Sequence, residues 1–373
     1  MKKVHLIIVL FVAMLAAFSS CNKKKEESQK ISLEKLGNGD LKPSVYGIRG
    51  FNKKGAPIVH HSLNYLYEWD GTAKTFNKLG GIIPNPAQAA NGRIVQDALG
   101  NYYYHSGSQG DVFMLNKATN QWDTVAIAPG YKNQMIANTN GDILVYINNT
   151  TIGGGQSYYK KSASANNWVK VVDVPASSSQ QTAPQFLSND GRAFFPVSAS
   201  ASSAIDGSGL YNDVVLNTNT GAFEVFYDKA DPDNLGVLAA YNYEGFNSDY
   251  TSPNGDFYTL VPASVGAKTA LYKISSKTLP AKFVKVTEFS HPPIESGSYV
   301  TIRGCKVNEM TGVIKYRSSC QLGSSSHKNL GVSKTSSTEL TMLQHDGVQN
   351  ELIAGPDGTV YVLEWEGYLY QWN

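Results

Sequence analysis

Several carboxylates stand on long polar segments between the apolar runs of this sequence. Glycoside hydrolysis needs two carboxylates on opposite sides of the scissile bond. The candidates are Asp206, Asp228, Asp231, Asp233, Glu244, Glu288 and Glu295. Their spacing selects no pair, and the sequence has neither a G-x-S-x-G nucleophile motif nor a phosphate-binding loop. Ligand binding is therefore the leading interpretation, and a glycosidase or polysaccharide lyase is the alternative.

The same segments carry side chains that suit ligand binding. Tyr131, Tyr241 and Tyr243 offer ring faces to a sugar or an apolar side chain. His291 and Asp206 add polar groups, and the neighbouring Gly, Ser, Asn and Thr residues allow adaptable hydrogen bonding. We take these five residues as candidate ligand-binding residues. Ordinary strand or core packing is the competing interpretation of each tyrosine.

Metal-ligating patterns are weak. His60 and His61 are adjacent, so on a strand they point to opposite faces and cannot both reach one ion. The segment 231–236 has only part of a calcium-loop pattern, because Leu235 replaces an oxygen ligand and Asn242 stands where a bidentate acid is expected. The sequence therefore predicts no metal site and no cofactor.

Composition favours an all-β protein. Of 373 residues, 42% are hydrophobic, which is ample for a large core, and the 34 glycines and 22 tyrosines are typical of strands joined by many turns. The net charge is only +2, and arginines such as Arg49, Arg192 and Arg303 are scattered. No nucleic-acid partner is therefore predicted.

Repeated segments predict the architecture. The terminal segment Tyr368–Asn373 (YLYQWN) matches Tyr65–Asp70 (YLYEWD) almost residue for residue. Equivalent strands recur about 40 to 60 residues apart, which is the spacing of propeller blades. They begin near Tyr65, Val112, Tyr158, Val214, Leu271, Asn329 and Tyr368. We predict an all-β fold, a β-propeller of seven four-stranded blades; six blades, a two-sheet sandwich and an open solenoid are the alternatives.

Each blade is predicted to have strands A to D from the ring axis outward, but the last one lacks strand D. It has A at Asn350–Ala354, B at Thr359–Trp365 and C at Tyr368–Trp372. The early segment Lys30–Leu36 is strand-like and belongs to no other blade. We therefore predict that this amino-terminal segment completes the last blade and closes the ring.

The blade layout resembles kelch-type or galactose-oxidase-like propellers. The glycine doublet of kelch blades is visible only at Gly80–Gly81 and within Gly153–Gly155. No copper site can be transferred residue by residue, so the resemblance implies an architecture and no activity.

Long connections favour one face of the predicted ring. B–C and D–A loops share one face, and A–B and C–D turns share the other. The expanded B–C segments are 149–156, 199–208, 262–269 and 320–328, and the expanded D–A segments are 127–134, 227–245 and 288–298. Because binding residues tend to lie on loops of a rigid scaffold, we expect a glycan or protein ligand on this face. A purely structural role is a further alternative.

The amino terminus has the pattern of an export signal. Lys2–Lys3 precede an apolar run from Val4 to Phe18, and small residues stand directly before Cys21. This resembles the lipobox of bacterial lipoproteins, although Phe18 departs from the usual Leu. The resemblance implies cleavage before Cys21 and its acylation, for instance with palmitate. Lys25–Glu27 is similar to the surface-export signal of Bacteroidota lipoproteins.

These patterns define the predicted organisation: a signal peptide at 1–20, a lipidated tether at 21–29 and a propeller domain at 30–373. The implied partner is a membrane, reached through the lipid anchor. The implied location is the outer membrane, at the cell surface, with the periplasmic side as the alternative.

Two covalent features remain open. An oxidising envelope would allow Cys305 and Cys320 to form a disulfide. The expected register places Cys305 opposite Ser318, so the two cysteines would lie diagonally on one side of the sheet, and two free thiols are the alternative. Asp123–Val125 resembles the O-glycosylation sequon of Bacteroidota and makes Thr124 a candidate acceptor; an ordinary outer-strand threonine is the alternative.

Overall fold

The computed structural model divides the chain into two compact units, Met1–Ser32 and Leu33–Asn373. Only Ser32 is described in the first unit, so the fold concerns the second. The described residues are 32–37, 45–61, 63–86, 92–107, 110–149, 155–174, 184, 186–195, 214–226, 256–262, 268–275, 278–290, 299–308, 313–322, 325–334, 336–337, 341–344, 349–355, 359–364 and 367–373. Within these ranges no helix could cross a bilayer.

All regular structure in the described ranges is β-strand. The strands of the first part of the chain are β1 (Leu33–Lys35), β2 (Val45–Phe51), β3 (Pro57–His61), β4 (Tyr65–Asp70), β5 (Thr75–Leu79), β6 (Arg93–Gln96), β7 (Tyr102–His105), β8 (Val112–Asn116), β9 (Gln121–Thr124), β10 (Tyr131–Ala137), β11 (Ile143–Asn149), β12 (Gly155–Lys161) and β13 (Val169–Val174).

The second part of the chain continues the same alternation of strand and turn. Its strands are β14 (Phe186–Leu187), β15 (Arg192–Phe194), β16 (Val214–Asn217), β17 (Ala222–Val225), β18 (Asp256–Pro262), β19 (Lys268–Ser275), β20 (Phe283–Ser290), β21 (Tyr299–Asn308), β22 (Val313–Leu322), β23 (Ser325–Lys334), β24 (Thr341–Gln344), β25 (Gln349–Ala354), β26 (Val360–Glu364) and β27 (Leu369–Trp372).

The strands form seven antiparallel sheets in the part of the chain that is described. Sheets 1 to 4 are β2–β5, β6–β9, β10–β13 and β14–β17, and sheet 6 is β21–β24. Sheet 5 has three described strands, β18–β20. Sheet 7 combines β25, β26 and β27 with the amino-terminal β1 as its outer strand. The predicted third strands are β4, β8, β12, β16, β19, β23 and β27.

The sheets stand side by side around a common axis. First strands of successive sheets contact each other: β2 contacts β6, β6 contacts β10, and β10 contacts β14. In sheet 5, the innermost described strand β18 contacts β21. Successive residues of β11 serve two interfaces: Val145 packs in the cluster with Tyr103 of sheet 2, whereas Leu144 packs in the cluster with Leu187 of sheet 4. Both faces of an inner strand are therefore buried, which explains its continuous apolar sequence.

Strand β1 closes the structure as expected from the truncated last repeat. Its three residues Leu33, Glu34 and Lys35 pair with Trp372, Gln371 and Tyr370 of β27. Leu36 is 5% exposed and lies in one apolar cluster with residues of sheet 1 and sheet 7, and its N–H donates to the Leu369 carbonyl at 2.9 Å. The predicted completion of the last blade is confirmed, with a strand shorter than the predicted segment 30–36.

The A–B turns share one construction. A polar residue opens the turn, and a glycine with positive φ stands three positions later, as in Asn52/Gly55, Asp97/Gly100, Asn138/Gly141 and Ser188/Gly191. In each pair the glycine N–H donates to the carbonyl of the polar residue at about 3 Å, and in each turn the side chain of the polar residue accepts a further backbone N–H. The same four-residue pattern, a polar residue followed three positions later by glycine, thus forms four turns of the same geometry.

Neighbouring A–B turns are also bonded to one another. The Lys53 ammonium donates to the Ala98 carbonyl at 2.6 Å, and the Asn138 amide donates to the Ser188 carbonyl at 3.1 Å. Between these pairs, a Cβ on Gly141 would lie 2.3 Å from the Ala98 nitrogen, so only glycine allows this approach. On the A–B face, each turn from sheet 1 to sheet 3 therefore contacts the turn of the next sheet.

A buried ion pair joins sheets 2 and 3 on the same face. The Lys161 ammonium lies 3.0 Å from Asp97 Oδ2, and the two side chains are 2% and 0% exposed. Burial raises the pKa of Asp97, but hydrogen bonds from Asn101 and Lys161 outweigh it, so the pKa lies below its usual value. Asp97 thus remains charged and fixes both the turn and the neighbouring sheet.

Sheet 6 departs from the predicted loop pattern. The segment 320–328 was expected to be an expanded B–C loop, but β22 continues to Leu322 and β23 begins at Ser325. Ten-residue strands with every position from Val313 to Leu322 paired form a long hairpin instead. The Ser, Gln, His and Lys residues of this segment were taken as loop residues, although antiparallel strands can also carry polar side chains.

The cysteine register also differs from the prediction. A bulge between Arg303 and Cys305 shifts the pairing, so Cys305 lies opposite Tyr316 and Cys320 lies opposite Val300. Four positions therefore separate the two cysteines along the ladder, about 13 Å. Since a disulfide needs Cα atoms less than about 7 Å apart, this register argues against the bond, which stays a prediction.

The first test addresses ring closure. We expect Leu36→Ala to lower the free energy of unfolding by about 2–4 kcal/mol, because it empties a buried site that β1 shares with sheets 1 and 7. The control is Glu34→Ala on the same strand, whose ion pair with Lys74 is exposed and contributes less than about 1 kcal/mol. Urea titration of the full chain measures both; equal effects would contradict the role given to β1.

The second test addresses the buried ion pair. Lys161→Met should cost about 3–5 kcal/mol of stability, because it leaves the Asp97 carboxylate buried without its cation. Lys74→Met removes an exposed ammonium and should change stability by less than about 1 kcal/mol. The double variant Asp97→Asn/Lys161→Met should recover part of the loss. Thermal and urea unfolding at pH 7 provide the measurement, and a Lys161→Met variant as stable as Lys74→Met would refute the assignment.

Candidate functional site

The strand directions bring one set of residues to the face of the B–C and D–A connections. First strands start there and second strands return there, so Arg93 and Tyr131, which begin β6 and β10, lie on the same face as His105, which ends β7. This is the face on which ligand binding was predicted. It is opposite the bonded A–B turns.

Tyr131 is the one predicted binding residue placed on this face within the described ranges. It was assigned to the loop 127–134, but it is the first residue of β10 and pairs with Asn148. Its side chain remains 42% exposed. The ring is therefore held by a strand and is still open to a ligand.

Polar residues lie near the start of β10, at the junction of sheets 2 and 3. His105 Nε2 lies 2.7 Å from the Lys132 carbonyl oxygen, and the Lys132 ammonium lies 3.2 Å from Asp111 Oδ1. Arg93 pairs with His105 across β6 and β7. We call Arg93, His105, Ser106, Asp111, Tyr131 and Lys132 the rim cluster.

Burial controls the charge of His105. The side chain is 1% exposed, and burial lowers its pKa, against the raising effects of the Lys132 carbonyl and Asp111; the positive charges of Arg93 and Lys132 lower it further. The imidazole is therefore neutral at pH 7. Because Nε2 faces a carbonyl, it carries the proton and donates, which leaves Nδ1 as an acceptor.

Two buried polar atoms of the rim cluster have no hydrogen-bond partner among the described residues. They are His105 Nδ1 and Ser106 Oγ. A Cβ added to Gly110 would lie 2.0 Å from Ser106 Oγ, and Gly110 forms a β-bridge with Lys132. Burying a polar atom without a hydrogen bond costs free energy, unless a water or a ligand supplies the missing partner. These two atoms therefore indicate a position where a water or a polar ligand group would bind.

A second polar group lies between sheets 1 and 2. Burial, Arg49 and His61 together lower the pKa of His60 to about 4, and burial raises the pKa of Tyr104 to about 12. Leu63 N–H donates to His61 Nδ1 at 3.2 Å. His60 and His61 are 3% and 8% exposed, so both imidazoles are neutral parts of the interior rather than surface groups.

Exposed apolar side chains on this face are few in the described ranges. Leu63 is 63% exposed in the β3–β4 connection, and Ile82 is 58% exposed after β5. The Ile83 N–H donates to the Asn64 carbonyl at 2.9 Å, which places Leu63 and Ile82 close together. They form a small apolar spot on sheet 1, beside the polar residues.

The remaining sequence candidates have varied positions. Cys21, Asp206, Tyr241, Tyr243 and His291 lie outside the described residues and stay predictions. Thr124 is exposed at the end of β9, an outer strand, where it is accessible for modification. Of the seven candidate acids, Glu288 alone is described; it lies on the outer strand β20, 2.5 Å from Lys285. The described residues hold no group of three metal-ligating side chains.

Sequence reasoning missed Arg93, His105, Ser106, Asp111 and Lys132. The long loops predicted binding residues within the connections, whereas these residues lie at or beside strand ends. A usable signal was present: His105-Ser106 ends the aromatic run Tyr102–Tyr104. Arg93 is the first residue and Lys132 the second residue of strands that are apolar further along. Charged residues at the same end of successive inner strands indicate a shared polar rim.

A titration tests the electrostatics of this face. We expect His60 to titrate near pH 4 in the folded protein, so it binds a proton less readily there than in the unfolded chain, where the pKa is about 6.5. The contribution of neutral His60 to the free energy of unfolding is therefore complete above about pH 6.5. As the pH falls toward 4, the free energy of unfolding decreases by roughly 3 kcal/mol on this account. NMR of the imidazole signals, compared with His60→Gln, gives the value; a pKa at or above 6.5 would contradict the burial.

A scan against protein-family models found no match, and a comparison with curated proteins found none either. Solved structures do match in fold. An oligogalacturonate lyase from Vibrio parahaemolyticus is 10% identical, with 92% of this chain and 94% of that chain covered and a TM-score of 0.52. YCF48 bound to D1 peptide is 12% identical, with coverages of 92% and 94% and a TM-score of 0.51.

A GH74 xyloglucanase from Xanthomonas campestris is 13% identical, with 91% of this chain and 53% of that chain covered and a TM-score of 0.50. Identities this low concern the fold alone. These neighbours, which include β-propellers, agree with the radial arrangement of the sheets. The chain therefore folds as an all-β propeller closed by its own amino-terminal strand.

Proposed function

We propose that this protein is a lipid-anchored binding propeller that takes a glycan or protein ligand on the face of the B–C and D–A connections. One observation carries the proposal: the two faces of sheets 1 to 4 differ. The A–B face is tied by turn-to-turn hydrogen bonds such as Asn138 to Ser188, whereas the opposite face presents an exposed ring and the polar rim cluster. Polar groups arranged on rigid strand ends suit recognition.

The anchoring part of the proposal rests on sequence. The export signal and Cys21 support a lipoprotein, and Lys25–Glu27 supports its display at the cell surface of the outer membrane. The fold adds a geometric consequence: β1 begins at Leu33, twelve positions after Cys21, and an extended tether of that length spans at most about 40 Å. The propeller would then lie close to the membrane.

Catalysis by a carboxylate pair is less well supported than binding. In the described part of the chain, Asp111 is paired with Lys132 and Glu288 lies on an outer strand with Lys285. Neither is shown in contact with a second acid of the described residues, as glycoside hydrolysis requires. The glycosidase or lyase alternative therefore depends on acids outside the described residues.

Ligand binding should depend on residues at the face of the B–C and D–A connections. We expect Tyr131→Ala to weaken capture of the ligand about five- to tenfold, because it removes an exposed ring at the proposed site. Leu99→Ala is the matched control, since Leu99 is 60% exposed in the A–B turn of sheet 2, on the opposite face. Full-length protein in mild detergent is applied to a glycan array and to candidate envelope proteins.

The pattern of losses decides between the functions. Capture that Tyr131→Ala weakens and Leu99→Ala leaves unchanged supports binding on this face. Loss in Leu99→Ala alone would contradict it. Turnover of a captured glycan that is abolished by substituting one acid would instead establish the enzyme alternative.

A further inference from the structure

The rim cluster carries more positive than negative charge. Arg93 and Lys132 are opposed by Asp111 alone, because His105 is buried and neutral. Asp111 already lies 3.2 Å from the Lys132 ammonium. Arg93 forms no ion pair with any carboxylate of the described residues, and it is exposed. A guanidinium therefore remains available at the start of β6.

The position of this guanidinium is fixed by the strands. Arg93 pairs with His105, which is bonded to the Lys132 carbonyl, so β6, β7 and β10 are connected at this end. The first strands β6 and β10 are in contact, and their first residues are Arg93 and Tyr131. An exposed cation and an exposed aromatic ring thus open neighbouring strands on this face.

We propose that the rim cluster recognises a uronic acid residue of an acidic glycan, an inference that rests on the proposed binding function. The planar guanidinium of Arg93 accommodates both oxygens of a carboxylate. The apolar face of the sugar ring packs on Tyr131, as carbohydrate rings do on aromatic side chains. The net positive charge of the rim cluster favours an acidic over a neutral sugar.

The buried atoms behind the cations fit a hydroxylated ligand. His105 Nδ1 accepts a hydrogen bond, and Ser106 Oγ both donates and accepts. Neither has a partner among the described residues, although both side chains are at most 1% exposed. A buried water that bridges to a sugar hydroxyl supplies the donors and acceptors that these atoms lack.

An acidic protein segment fits the described face less well. Protein interfaces have an apolar centre, with charged residues depleted there. Around the rim cluster, the exposed apolar surface that the described residues provide is the Tyr131 ring, and Leu63 and Ile82 lie on sheet 1. One exposed ring and one guanidinium without an ion pair among the described residues match a single sugar residue better than a protein surface.

The test compares acidic glycans with their neutral esters. Polygalacturonate, alginate and hyaluronan are offered to the full-length protein in mild detergent at low salt, each also with its carboxylates methyl-esterified. We expect at least one acid to bind at least about tenfold more tightly than its ester, and Arg93→Gln to remove that difference. Lys117→Gln is the matched control: it removes the same charge from an exposed turn at the opposite end of sheet 2 and should leave binding unchanged.

The outcomes separate this inference from the proposed function. Equal binding of acids and esters, equal effects of Arg93→Gln and Lys117→Gln, or no binding of any uronate polymer would overturn the inference. If a neutral glycan or an acidic protein binds in a Tyr131-dependent manner, the inference falls and the proposed function stands. If neither Tyr131→Ala nor Arg93→Gln weakens any binding, both fall.

Discussion

Pairing of β1 with β27 is the interaction on which the rest of the structure depends. Three residue pairs, from Leu33–Trp372 to Lys35–Tyr370, cover an edge that would otherwise expose unpaired N–H and C=O groups. The same contact brings Leu36 into the apolar cluster that sheets 1 and 7 share. The two faces of a propeller are defined only while the ring is closed. The arrangement of the strand ends on each face therefore depends on this short pairing.

The two faces of the propeller differ in how strongly the backbone restricts the residue types at their turns and strand ends. A–B turns need positive φ at one glycine and a side-chain acceptor three positions earlier, and these demands leave little freedom at positions such as Asn138 and Gly141. Turn-to-turn bonds and the buried Lys161–Asp97 pair then make that face rigid. The described strand ends on the opposite face share no such repeated turn, so positions such as Arg93 and Lys132 are less constrained in residue type.

The repeat pattern predicted most of the fold, because Tyr65–Asp70 and Tyr368–Asn373 occupy equivalent strands and strand propensity agrees with tertiary packing there. Closure was predictable because the last repeat is incomplete. Prediction failed where polar residues continue a strand, as in β22 and β23, and where a bulge shifts register near Cys305. Of the site, Tyr131 was found as an aromatic residue, but Arg93 and His105 become neighbours only through strand pairing, which single residues do not reveal.

Closure by β1 has a consequence for synthesis on the ribosome. Glu34 and Asn373, whose side chains lie 3.5 Å apart, are separated by 339 positions in sequence. The partner strand β27 is thus translated long after β1, which cannot pair with it before then. A chain terminated before β27 lacks that partner, and its open edge distinguishes it from a chain with a closed ring.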